Sequence, residues 1–153
     1  MPIRIGPVGR RARPLPSRAE QLRAILAVLD DAVAAQPEAD RVVAACGEPG
    51  PVRGVVARDC GVQMSVYHWL NQRLRTLYAD GDLAESQDRA ACLLAYHQWM
   101  LHQSLGLAFP SHSDARTEAA RLWINGLGAP ADGLRTLRDE LRAQSVTDGG
   151  TAS

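Results

Sequence analysis

Apolar residues recur along this chain at intervals of three and four, and no strand-like alternation is visible, so each element the pattern predicts is a helix. Leu22, Ile25, Leu26, Leu29 and Val33 share one face behind Ser17 and Glu20, which have capping-box spacing, and predict a first helix over Arg18 to Gln36. Pro37 suits the first turn of a second helix, to Cys46, which Gly47 stops. After a short rigid loop to Pro51, a third helix runs through Asp59 and breaks at Gly61. A fourth begins near Gln63 or Ser65 and ends at Ala79, where Asp80-Gly81 supplies a turn. Asp82 and Glu85 repeat the capping-box spacing at the head of a fifth helix, which reaches Phe109 before Pro110 ends it. Ser113 or Asp114 caps a sixth to Asn125, and Pro130 precedes a seventh from Asp132 to Gln144.

The expected fold is therefore all-α, a six- to seven-helix bundle. The chain has 153 residues, enough for one domain with a real core. Its apolar share is 46%, mostly Ala, Leu and Val, with 5% aromatic, which favours helix over sheet. Residues 17–145 form the expected helical domain, with residues 82–145 supplying packing or dimerisation helices. Residues 1–16, with Pro2, Pro7, Pro14 and Pro16 among Arg4, Arg10, Arg11 and Arg13, are expected to be a disordered basic arm. Residues 146–153 are expected to be a disordered tail.

Charge and cysteine narrow the classes. Net charge is zero, but residues 1–78 hold 11 Arg against 7 acids while residues 79–153 hold 6 against 10, so one end can face an anion. Cys46, Cys60 and Cys92 are odd in number and lack Cys-x-x-Cys spacing, which indicates neither a disulfide framework nor a zinc site; they read as small core residues in a reducing cytoplasm. Arg10-Arg11 is not followed by the apolar run of an export signal. The nearest thing to a membrane span, Ala90 to Phe109, carries His97, Gln98, His102 and Gln103, so no membrane association is expected.

The fourth helix carries the most chemistry. On a helical wheel Val66, Tyr67, Leu70, Leu74, Leu77 and Tyr78 form a core side. Opposite lie His68, Gln72 and Arg75, flanked by Ser65, Asn71 and Thr76, with Trp69 and Arg73 at the edge. That face has no carboxylate, which suits a phosphate-lined groove. A helix ending at a glycine and followed at once by a second amphipathic helix is the geometry of a helix-turn-helix, with Ala57 small enough for close approach and Val62 filling the corner.

The stretch VARDCGVQMSVYHWL resembles the helix-turn-helix of bacterial transcriptional regulators and transposase-type proteins through Ala57, Gly61, Val62, Ser65, Val66, Tyr67, Trp69 and Leu70. The likeness covers residues 51–79 only. It is one residue short between Ser65 and Val66, which rotates later positions by about 100°. The resemblance implies that Gln63, Ser65, His68 and Gln72 face bases while Arg53, Arg58, Arg73 and Arg75 hold phosphates. The basic arm would reach a minor groove or backbone. Sequence-specific binding of double-stranded DNA by a homodimeric regulator is the function so implied.

Two alternatives stand beside it. One is a helical protein–protein adaptor whose Arg-rich face meets an acidic partner. The other is a small ligand-binding protein or enzyme with a pocket at Tyr96, His97, Trp99 and His102 on the fifth helix. That helix is apolar nearly all round, through Leu93, Leu94, Met100, Leu101, Leu105 and Leu107, and belongs at the bundle centre or a subunit interface. His97 and His102 are five apart, which is poor spacing for a shared metal. Each is expected to be a satisfied buried or interfacial group, and Trp123 a core residue. No hydrolase elbow, phosphate loop, dinucleotide fingerprint or His-Glu-x-x-His is present, and no cofactor is expected.

Overall fold

A computed structural model describes residues 14–109, 114–124 and 126–150. Its helices are α1 (Arg18–Cys46), α2 (Gly54–Arg75), α3 (Gly81–Ala108), α4 (Ala115–Leu122) and α5 (Ala129–Gly150), with no strand among the described residues. The fold is all-α, with five helices among the described residues rather than the six or seven expected. Two expected breaks account for the difference.

Pro37 lies inside α1, and Gly61 lies inside α2. In α1 the buried positions Leu22, Ile25, Leu29, Ala32, Gln36, Ala39, Val43 and Cys46 alternate steps of three and four without a slip across Pro37, which faces solvent. Proline in a helix interior costs about 3 kcal/mol. Fully burying a valine returns about 1.5–3 kcal/mol, and Val42, Val43 and the thiol of Cys46 are all fully buried beyond the proline. Continuing the helix therefore wins. The same phase runs through α2 at Cys60, Met64, Tyr67, Asn71 and Leu74, so the bend expected at Gly61 is not formed.

The helix ends are set locally. The Ser17–Glu20 capping box is formed, and Gly47 closes α1. Asp114 caps α4 by accepting from Thr117 N at 2.6 Å. The Asp82–Glu85 box is not formed: α3 starts at Gly81 behind Asp80, two residues before the start that Asp82 would cap, and Asp82 instead accepts a two-pronged bond from Arg18 at 2.6 and 2.8 Å. Residues 146–150, expected to be tail, continue α5. The expected arm residues 1–13 and the stop and cap at 110–113 lie outside the described residues.

α1 and α3 form the middle of the bundle; α2 and α5 each pack on both of them, from opposite sides. α4 is held by Arg121, which reaches back to the Gly50 carbonyl and to Glu118. The following loop is fixed from α1: Asp40 Oδ1 accepts from Leu127 N at 2.7 Å, and at Gly126, with φ 144°, a Cβ would lie only 2.9 Å from the same oxygen. Gly47 is required by space, because a Cβ there would lie 2.3 Å from the Ile124 carbonyl oxygen. Trp123, expected in the core, is 85% exposed because Arg121 turns the opposite side of α4 inward; Tyr78 and Cys92 are also exposed.

Candidate functional site

α2 is amphipathic along its whole length. Tyr67, Leu70, Asn71 and Leu74 face the core, and the Tyr67 hydroxyl donates to the Ala32 carbonyl at 3.1 Å. With α1 on one flank and α3 on the other, the remaining side of the helix looks outward. Ser65, His68, Gln72 and Arg75 stand exposed on it, as expected of an interaction face. Gln63 does not join them: its Oε1 is buried, without a hydrogen-bond partner among the described residues, so it faces inward.

The arginines divide into two groups. Arg73 is engaged, with Nη1 2.7 Å from Asp31 and its guanidinium 5.5 Å over the Trp69 ring. Arg53, Arg58 and Arg75 are exposed; Arg75 donates to Asn71 at 3.3 Å, and Arg58 lies 3.9 Å from Asp59. Asp59 sits at the edge nearest α1, where Arg41 also takes it at 3.1 Å. The outer face proper thus carries cations and no carboxylate. α2 has no acid in its first turn and no side-chain cap, so the positive end of its dipole adds to Arg53.

Apolar side chains line the same face. Val55, Val62 and Trp69 are 48%, 54% and 59% exposed. Seven residues apart, they fall on one line roughly 21 Å long. Val62, expected to fill a corner between two helices, projects to solvent because no corner exists. Beside this line is an open groove of about 520 Å³ walled by Arg58, Gly61, Val62, Ser65, Val66 and Trp69, largely apolar. A smaller one of about 240 Å³ borders it toward α3, at Met64, His68 and Gln98. Treating Gly61 as a break conceals the stripe; the seven-residue repeat of Val55, Val62 and Trp69 is the signal that reveals it.

The four residues expected to shape a pocket on α3 are not brought together. His97 is fully buried, whereas Tyr96, Trp99 and His102 are exposed on its outer side, Tyr96 and Trp99 with ring centroids 5.2 Å apart. Both His97 nitrogens are taken. Nδ1 is 2.7 Å from the Leu93 carbonyl, which can only accept, so Nδ1 carries the proton and Nε2 accepts from Gln36 Nε2 at 3.3 Å. Gln36 also donates to the Ala131 carbonyl at 3.0 Å and accepts from Arg135 Nη1 at 2.6 Å, while Tyr67 stacks on the imidazole at 4.9 Å. Burial, the largest influence, pushes the His97 pKa below the usual histidine value. This network ties four helices together and leaves His97 no free group for a ligand.

Among the described residues no group of three His, Cys, Asp or Glu side chains is placed to hold a metal ion, and no helix is long and apolar enough to cross a membrane. Comparison with protein-family models, curated proteins and solved structures finds no match to this chain.

Proposed function

We propose that this protein is a helical protein-interaction module whose α2 outer face docks an acidic amphipathic helix of a partner. One observation carries this reading: the Val55–Val62–Trp69 line is exposed over roughly 21 Å, with Arg58 beside it, Arg53 and Arg75 exposed at the two ends of α2, and the nearest acids, Asp59 and Asp31, on the α1 side. A helix with its own apolar stripe buries that line, and glutamates or aspartates on its flanks meet the arginines. Trp69 and Arg58 are the side-chain types that most often anchor such contacts. Among the described residues, the buried histidine is committed to the core network.

Binding of double-stranded DNA is the second reading, favoured by the exposure of Ser65, His68, Gln72 and Arg75 on an acid-free surface. It ranks lower because α2 is one uninterrupted helix, Gln63 faces inward, and the most prominent outward side chains are Val62 and Trp69.

The test uses a synthetic acidic amphipathic helix with a leucine stripe, its lysine-flanked twin, and a labelled duplex, each titrated against the protein at low and high salt. The acidic helix binds, the lysine twin does not, and Val62→Asp or Trp69→Ala weakens binding by about tenfold or more. No binding of the acidic helix refutes the proposal. If instead the duplex binds with steep salt dependence, and Arg58→Ala with Arg75→Ala removes that binding while Trp69→Ala spares it, DNA recognition replaces it.

A further inference from the structure

We infer that the partner helix seats two successive apolar side chains, four residues apart, in two holes on α2, the deeper one floored by Gly61; this rests on the docking reading above. The groove beside the apolar line has a particular composition. Arg58, Gly61, Val62 and Ser65 stand at positions i, i+3, i+4 and i+7, and so do Val62, Ser65, Val66 and Trp69. Four residues so spaced make the hole that receives one knob of a facing helix. The groove is two such holes joined. Their centres are four residues, about 6 Å, apart along α2, which matches knobs at i and i+4 on the partner.

Gly61 is the residue the isolated chain does not explain. Glycine inside a helix destabilises it relative to alanine, and a fold retains one where φ is positive or space is short. Neither holds here. Gly61 has no positive φ, and a Cβ on it would meet nothing within 4 Å. What the missing side chain does provide is depth on the outward surface. Ser65 does not fill that depth, because its hydroxyl is turned down to the Gly61 carbonyl at 3.0 Å and leaves no unmet donor at the floor. Trp69, steadied by Arg73, forms the far wall. The site therefore takes a leucine- or phenylalanine-sized knob over Gly61, a second against Trp69, and acidic flanking residues near Arg58. An α2-to-α2 pairing of two copies would set arginine against arginine, and the charge of the face selects an acidic helix, which we assign to a foreign partner.

The experiment pairs Gly61→Leu with shortening of the peptide's two central leucines to alanine. Gly61→Leu is expected to fold, with Tm unchanged or raised by about 2–4 °C, since the position is open and leucine is the better helix former. It should weaken the acidic leucine peptide by about tenfold or more. Shortening the peptide knobs should weaken wild-type binding similarly yet add little against Gly61→Leu, the non-additivity of groups in direct contact. Equal affinity of wild type and Gly61→Leu, with Val62→Asp still abolishing binding, overturns the two-hole seating and leaves the docking face standing. Absence of acidic-peptide binding in wild type overturns both. Self-association through α2, read by light scattering and removed by Val62→Asp, overturns the assignment to a foreign helix.

Discussion

Acidification from about pH 7.5 to about pH 5.5 should destabilise this protein through one side chain, His97. Its ring is fully buried between Tyr67 and Gln36, with the proton fixed on Nδ1 by the Leu93 carbonyl. A second proton has to go on Nε2, where it meets the amide nitrogen of Gln36 at 3.3 Å, donor against donor. Turning the Gln36 amide over would offer its oxygen to the imidazolium. That rotation breaks its bonds to the Ala131 carbonyl and to Arg135. Among the neighbouring charges, Asp40 favours the protonated ring and Arg135 opposes it, but burial outweighs both, and the folded-state pKa is depressed.

The sign follows from that depression. The unfolded chain takes up the proton near pH 6.5 and the folded chain does not, so stability is fully present above about pH 6.5 and falls as the pH drops toward the folded value. The slope cannot exceed about 1.4 kcal/mol per pH unit, the limit set by one proton taken up by the unfolded chain alone. The exposed carboxylates whose pKa values are lowered, Glu20, Glu38, Asp82 and Asp114, lose their contribution in a more acidic window. Urea unfolding followed by circular dichroism across this range measures the slope. His97→Gln, which keeps a neutral polar group at the site, should lower stability at neutral pH and remove the slope. A flat profile in the wild type, or an equal slope in the variant, refutes the assignment of a neutral, network-bound His97.

Two further substitutions test the packing. Gly47→Ala places a Cβ 2.3 Å from the Ile124 carbonyl oxygen in an ordinary right-handed conformation, so the loss is steric and should reach about 1–3 kcal/mol, read as a lower urea midpoint; a stability equal to wild type would mean α4 is not held there. Pro37→Ala restores a helix N–H at an exposed position and should stabilise by about 1–3 kcal/mol; destabilisation would show that the proline, rather than the buried stripe around it, defines α1.

Most of the fold could be read from local pattern because most of its determinants are local. The capping box at Ser17, the stop at Gly47 and the cap at Asp114 each depend on residues within one turn. What failed was the weight given to Pro37 and Gly61 as breakers. Both had a competing signal in the sequence itself: the three-and-four alternation passes through each without changing phase, and a true break leaves its two sides out of register. The His97 network was not legible, because Gln36 lies 61 residues away from the histidine, and Ala131 and Arg135 lie 95 and 99 residues beyond Gln36. No local period reports such pairings.

The candidate face was half legible for a related reason. A wheel started at Ser65 puts His68, Gln72 and Arg75 outside correctly, since burial of Leu70 and Leu74 fixes the opposite side. It leaves out Val55 and Val62, which join the face only if the helix is continuous. Continuity also changes what the face is suited to. A short helix after a corner offers its polar N-terminal turn to a groove, with Gln63 and Ser65 foremost. An unbroken helix of 22 residues offers its side, where the outward positions at seven-residue spacing are Val55, Val62 and Trp69. The same residues that suggest a nucleic-acid reader around a bend therefore make, on a straight helix, an apolar seam with arginine beside it, and it is on that seam that the proposed docking of a partner helix rests.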